Sequence, residues 1–155
     1  SLIMEITCHH LWQLSDSNTL NFKIGLVNGK ACNKKMQKNM CDMLDMDMQD
    51  VSCSIESRFT VFGTCKVNDL VLFKDGPSCS RVAKIVLHYG VQGVPVSVVS
   101  MFKFIGQDAE QGWSMWEADP LSAHELIETE FILDTLVYCM LSATKVRVLM
   151  PLGHR

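Results

Sequence analysis

The chain is short of the features by which many activities announce themselves. Its seven cysteines include no C-x-x-C pair, so the paired-thiolate spacing of structural zinc sites and of thioredoxin-like redox centres is absent. It has no glycine-rich phosphate loop, no G-x-S-x-G and no H-E-x-x-H; nothing at motif level argues for nucleotide hydrolysis, an α/β-hydrolase nucleophile or a zincin. Apolar runs such as Val94 to Phe104 are interrupted by Ser and Lys and fall well short of the roughly 20 residues that a membrane-crossing helix needs. Charged residues make up 20% and the net charge is −3, so no global field holds a polyanion and nucleic acid is not the default partner.

The odd, scattered cysteines and the lack of a leader-like segment read as a reduced, intracellular protein. Ser1 reads as a residue left by tag cleavage, and the chain as an excised piece of a larger protein. The 155 residues, 48% hydrophobic, suffice for one domain with an extension.

Residues 1–33 are expected to form an N-terminal β meander. Leu2 to Leu14 is apolar, Ser15 to Asn18 reads as a turn, and Leu20 to Val27 reads as a strand. Asn28-Gly29 then predicts a type I′ hairpin, because both residues tolerate positive φ. Residues 34–57 carry Met36, Met40, Met43 and Leu44 at helical spacing, which predicts a short amphipathic helix or a mobile linker. Lysines at its start and aspartates at its end oppose the helix dipole, so it depends on tertiary packing.

Residues 58–151 read as a β domain: FTVFG, CKVNDLVLF, a turn at Lys74 to Pro77, RVAKIVLHY, a turn at Gly90 to Gly93, and VPVSVVSMFKF. In the last strand Val94, Val96, Val98, Phe102 and Phe104 share one face, and Pro95, Ser97, Val99, Met101 and Lys103 the other. Ser122 and Glu125 have capping-box spacing and predict a helix from about Ala123. A buried connector and a closing strand from Lys145 to Met150 follow. The fold class expected is mainly β: a twisted antiparallel sheet curled into a partial barrel, with one or two short helices.

Candidate chemistry is sparse. Cys8, His9 and His10 lack the second ligand pair of a zinc site, so strand residues with a buried thiol are the preferred reading. Asp45 and Asp47 resemble the start of a calcium loop, but Asp50 occupies the sixth position, where glycine is needed. Cys65, Cys79, His88 and His124 could form a thiol–imidazole pair only by accident of the fold. A non-enzyme without cofactor or metal is therefore expected. The aromatic residues Tyr89, Phe102, Phe104, Trp113 and Trp116, with Glu117 beside them, could surround a methylated ammonium, whose charge is attracted to ring faces. Alternatively, Phe102 and Phe104 are core, and the two tryptophans form a lid on it.

The run Gly63 to Val71, G-T-C-K-V-N-D-L-V, precedes an apolar strand with Val82, Ala83, Lys84 and Ile85. The long strand Val96 to Ile105 follows, then Glu125-Leu126, and then the closing stretch Leu141 to Val148. This order resembles the bromo-adjacent homology (BAH) domain over about residues 59–151, matching its x-V-G-D-x-V strand, its A-R-I strand, its V-x-V-x-W-F-Y-R-P strand, its E-L step and its closing I-x-G-K-C-x-V. The resemblance implies a non-catalytic, nuclear, chromatin-associated module that binds a histone tail, including methyl-lysine, or a partner protein segment. Its cage would be walled by Phe102, Phe104, Trp113 and Trp116, with Glu117 as the acidic lip. The family's Trp and Tyr are replaced by Met101 and Lys103 or by Phe102 and Phe104, depending on register. Two alternatives stand beside it. One is a protein–protein scaffold with a vestigial cage, using the meander and the Met-rich segment as contact surface. The other is a nucleosome or DNA contact through Lys34, Lys35 and Lys38, or Arg81 and Arg147.

Overall fold

The computed structural model describes residues 24–47 and 50–154. The N-terminal segment Leu2 to Leu14, with Cys8, His9 and His10, lies outside the described residues. In chain order the elements are β1 (Gly25–Leu26), β2 (Lys30–Ala31), α1 (Lys34–Leu44), β3 (Val51–Ser54), β4 (Glu56–Arg58), β5 (Thr64–Lys66), β6 (Leu70–Lys74), β7 (Ser80–Val91), β8 (Val94–Gln107), β9 (Trp113–Ala118), β10 (Glu125–Glu128), β11 (Ile132–Thr135), β12 (Val137–Met140) and β13 (Lys145–Leu149). A 3-10 turn, Thr129–Phe131, sits between β10 and β11.

Two long valine-rich strands, β7 and β8, organise the molecule. Gln92 and Gly93 join them at φ 52° and 80°, so that Val91 pairs with Val94. Positive φ at both central residues is the type I′ turn, whose twist matches that of the flanking strands. The turn expected at Gly90 to Gly93 is thus present. The register shifts between Ile85 and Leu87, leaving Val86 as the extra residue of a bulge, which bends the strand pair. The sheet forks around this bend. Beyond it β7 offers its outer edge to β3, and before it to β6; β8 pairs first with β10 and then with β9.

The main path of this ten-stranded sheet is β11-β6-β7-β8-β9-β13-β12, and β1-β4-β5 form a separate three-stranded sheet. Among the described residues no ladder joins β11 to β12, so the sheet is open. This corrects the expectation of a sheet curled into a partial barrel and, with it, the architecture that the BAH resemblance implied. Among the described residues, mainly β with one short helix stands; barrel closure does not. The physical reason lies at Leu136, the residue between β11 and β12. Its N–H goes to Leu70 O at 2.9 Å, so the chain passes between the two ends of the path at one corner, without laying two edges side by side.

The core has three parts, and β8 reaches all of them. Val94, Val96 and Val98 pack with Tyr89, Val91 and α1; Val99 and Met101 pack with Phe59, Val71 and Ile85; Phe102 packs with Leu72, Trp116 and Val146. The alternation read from the sequence is therefore real, but both faces are buried. The choice between Met101 and Phe102 dissolves, because each is core on its own side.

Helix α1 begins at Asn33, whose side chain accepts the Met36 N–H at 2.8 Å, and ends at Asp45 in the left-handed region. It has no acidic residue in its first turn and no basic residue in its last, so its stability comes from burying Met40 and Leu44 against β3, β7 and β8. Asn33→Ala is expected to cost about 1 kcal/mol, measured as a lower urea midpoint at unchanged slope.

Three local expectations are overturned. Asn28 has φ 53° but Gly29 is not in the left-handed region, so the pair does not make a type I′ hairpin. Its flanking strands separate, β1 to β4 and β2 to β3. The region from Ser122 to Glu125 forms no capped helix. Ser122 Oγ donates instead to Ala123 O at 3.2 Å, and Glu125–Glu128 joins β8 as a strand, because pairing with a buried valine-rich strand outweighs a local cap. Finally, the connector expected to be buried contains β12, which is exposed along its whole length.

Candidate functional site

Of the five residues expected to form an aromatic cage, Phe102, Phe104 and Trp116 come together, while Trp113 and Glu117 lie on the other face of β9. In β9 the side chains alternate, so Trp113 and Glu117 lie on one face and Trp116 on the other. Trp116 is only 7% exposed, and its Nε1–H donates to Ser114 Oγ at 2.8 Å. Phe102 is buried in the same core, whereas Phe104, further along β8, is 47% exposed. The Phe104 ring meets Trp116 edge to face, with centroids 5.3 Å apart. The Trp113 ring is covered by the Arg147 guanidinium at 4.3 Å, which is itself held by Asp108 and Glu110. Glu117 stands in register between Lys103 and Lys145. A cation already occupies the Trp113 face, and the protein's own core occupies the Trp116 face.

Of the candidate cationic contacts, Arg81 pairs with Asp75 at 3.4 Å, and Arg147 is held by two carboxylates. Lys34 and Lys38 line a depression beside α1 together with Asp42, Asp45 and Asp47, so opposite charges there leave little net field.

One buried polar network unites groups that looked unrelated in sequence. His88 Nε2 lies 3.2 Å from Cys65 O, and Nδ1 lies 2.7 Å from Ser97 Oγ. Ser97 Oγ is in turn 2.8 Å from Thr129 Oγ1. A carbonyl only accepts, so Nε2 carries the hydrogen. Nδ1 then accepts from Ser97, and Ser97 from Thr129. Burial pushes the imidazole down to about 4, against the opposing pull of the Cys65 carbonyl, Asp69 and Glu56. Cys65 Sγ is 3.6 Å from Nε2, but burial, with Asp69 and Glu56 adding to it, pushes the thiol up to about 12. Cys65, His88, Ser97 and Thr129 are all inaccessible. A protonated thiol facing a neutral imidazole with no route to solvent acts as a structural cross-link.

Cys32 is half-buried, and burial first, then the neighbouring Cys53 thiol, push it up to about 12. Among the described residues no three His, Cys, Asp or Glu side chains gather as metal ligands, and no helix is long and apolar enough to cross a membrane.

The site that sequence reasoning missed is the edge of β12. Val137 and Met140 are 64% and 55% exposed, and Tyr138 and Cys139 are exposed with them. The Leu141 N–H donates to Lys145 O at 2.9 Å, which sets the phase of the β12–β13 ladder. In antiparallel pairing, residues that exchange hydrogen bonds alternate with residues that do not. Val137, Cys139 and Leu141 therefore bond to β13, while Tyr138 and Met140 turn their N–H and C=O groups outward. No charged residue, proline or glycine lies between Val137 and Leu141. Among the described residues no strand covers this edge, and of the devices that usually blunt one, charge, proline and bulge are missing, while shortness, at four residues, is present. The signal was present in the sequence as two apolar runs, Val137 to Leu141 and Val146 to Met150, around the polar S-A-T, a hairpin pattern.

Comparison of the chain with family models, curated proteins and solved structures finds no match. With the sheet open and no family model matching, the BAH resemblance is corrected, and the histone-binding function inferred from it loses its basis.

Proposed function

We propose that the chain is a non-catalytic protein-interaction module that takes an extended segment of a partner protein onto the open edge of β12. The observation that carries this reading is the uncharged strand Val137–Met140, exposed on both faces, with the backbone groups of Tyr138 and Met140 directed away from β13. Strand addition uses such groups for affinity and alternate side-chain positions for selectivity. Each backbone hydrogen bond adds about 1 kcal/mol net, and covering the apolar side chains adds to that. The Cys65–His88–Ser97–Thr129 network supports the non-catalytic part, since those groups are inaccessible and bond one another.

The test is a phage-displayed library of unconstrained peptides panned against the immobilised chain. Wild type is expected to enrich short segments of alternating β-branched or aromatic residues. Met140→Pro is expected to lose them, because proline removes an outward N–H that the fold does not use. No enrichment, or the same enrichment on Met140→Pro, would sink the proposal.

A further inference from the structure

We propose that the segment added to β12 is β12 of a second copy, paired antiparallel about a twofold axis at Cys139. This rests on the strand-addition reading above and names its partner.

The open backbone groups of β12 fix the register of any strand added to it. An antiparallel partner must exchange hydrogen bonds with Tyr138 and Met140, the two residues whose N–H and C=O point outward. When the partner is another β12, a twofold axis at Cys139 sets Tyr138 against Met140 of the other copy, and Met140 against its Tyr138. All four open N–H groups and all four open C=O groups of the two strands are then used. Isologous pairing of this kind is the commonest way in which chains form closed dimers.

The side chains in that register agree with the backbone. Cys139 meets its own counterpart in the pair that lacks hydrogen bonds, where the Cα atoms approach to about 4.5 Å; a small thiol suits that close position. Tyr138 meets Met140 in the wider pair, where a thioether against an aromatic ring is favourable. Val137 meets Leu141. Val137 to Leu141 carries no charged residue, so like charges do not oppose each other within the paired strands. The two sheets would become continuous through their β12 edges. A contact of four-residue strands lies below the size of a standard stable interface, so the dimer is weak and concentration-dependent.

Sedimentation velocity of the full chain from about 1 µM to about 500 µM, a range that brackets a weak dimer, tests the proposal. Wild type is expected to move from the monomer mass toward twice that value, and Met140→Pro to stay monomeric throughout. If Met140→Pro fails to fold, Cys139→Lys serves instead, since the twofold axis sets the two ammonium groups against each other. Oxidised glutathione provides the second readout. Two Cys139 thiols lose two protons and two electrons to one oxidised glutathione, which leaves as two reduced molecules, and peptide mapping should find the Cys139–Cys139 link. Cys139→Ser should abolish the covalent dimer but keep the reversible one. Cys79→Ser, at the other exposed thiol among the described residues, should change neither. A monomer at all concentrations, or a dimer indifferent to Met140→Pro and Cys139→Lys, overturns the proposal. Self-association failing while peptides are still enriched ends self-pairing alone; both failing ends strand addition as well.

Discussion

Urea unfolding of wild type is expected to weaken steeply with acid between about pH 6.5 and 4, with His88 supplying about 3 kcal/mol of the loss. The imidazole lies near 4 in the folded chain, against 6.5 when free of its surroundings. As pH falls through that window the unfolded chain takes up a proton that the folded chain refuses. Stability therefore declines by about 1.4 kcal/mol per pH unit; above the window both states are neutral and the full stability is present. Burial drives the effect, since a charged imidazole would sit without water beside Cys65 and Ser97. In His88→Gln, which retains a group able to donate and accept, the slope should be shallower by one proton. Equal slopes for the two proteins would show that His88 gains its proton in the folded state as easily as in the unfolded one.

Trp116→Ala is expected to cost about 3–5 kcal/mol. The indole fills the core between Phe102, Leu72 and Val146. Its loss also removes the donor to Ser114 Oγ, and Ser114 is itself buried, so a cavity and an orphaned hydroxyl arise together. Trp116→Phe should retain most of the packing and lose only about 1–3 kcal/mol, for the orphaned hydroxyl and the missing ring. A Trp116→Ala variant within about 1 kcal/mol of wild type would instead mark the ring as a replaceable surface group.

These two residues show what could be read from the chain and what could not. Period-2 alternation in Val94 to Phe104, the turn at Gln92-Gly93 and the spacing of Met36, Met40 and Leu44 are local signals, and the elements they predict are present. The failures were failures of pairing. Asn28-Gly29 has hairpin chemistry, but the strands on either side of it belong to different sheets. Ser122 and Glu125 have the spacing of a cap, but β8 had an edge to be covered. A strand reads the same whether one face or both are buried, so the apolar run through β8 could not reveal that Met101 and Phe102 are both core. Trp113 and Trp116, three residues apart, were expected to act together as cage walls or as a lid; in a strand that spacing sends them to opposite faces. The Val137–Met140 run was legible as apolar and misread as interior, since apolar composition alone does not decide which side of a sheet's boundary a strand occupies. The His88 network was the least accessible to sequence reasoning: Cys65, His88, Ser97 and Thr129 come from four separate segments.

The corner at Leu136 has a consequence for cooperativity. An edge strand usually frays independently of the core, because opening it breaks one ladder and exposes little. Here the residue that follows β11 and precedes β12 is buried and bonded to Leu70, so the exposed edge is the outer arm of a lever whose fulcrum lies inside the protein. Opening that spreads from β12 past this point reaches β11 and β6 at once, and it turns from local breathing into global unfolding. Whatever docks on β12 would therefore be coupled to the stability of the whole domain.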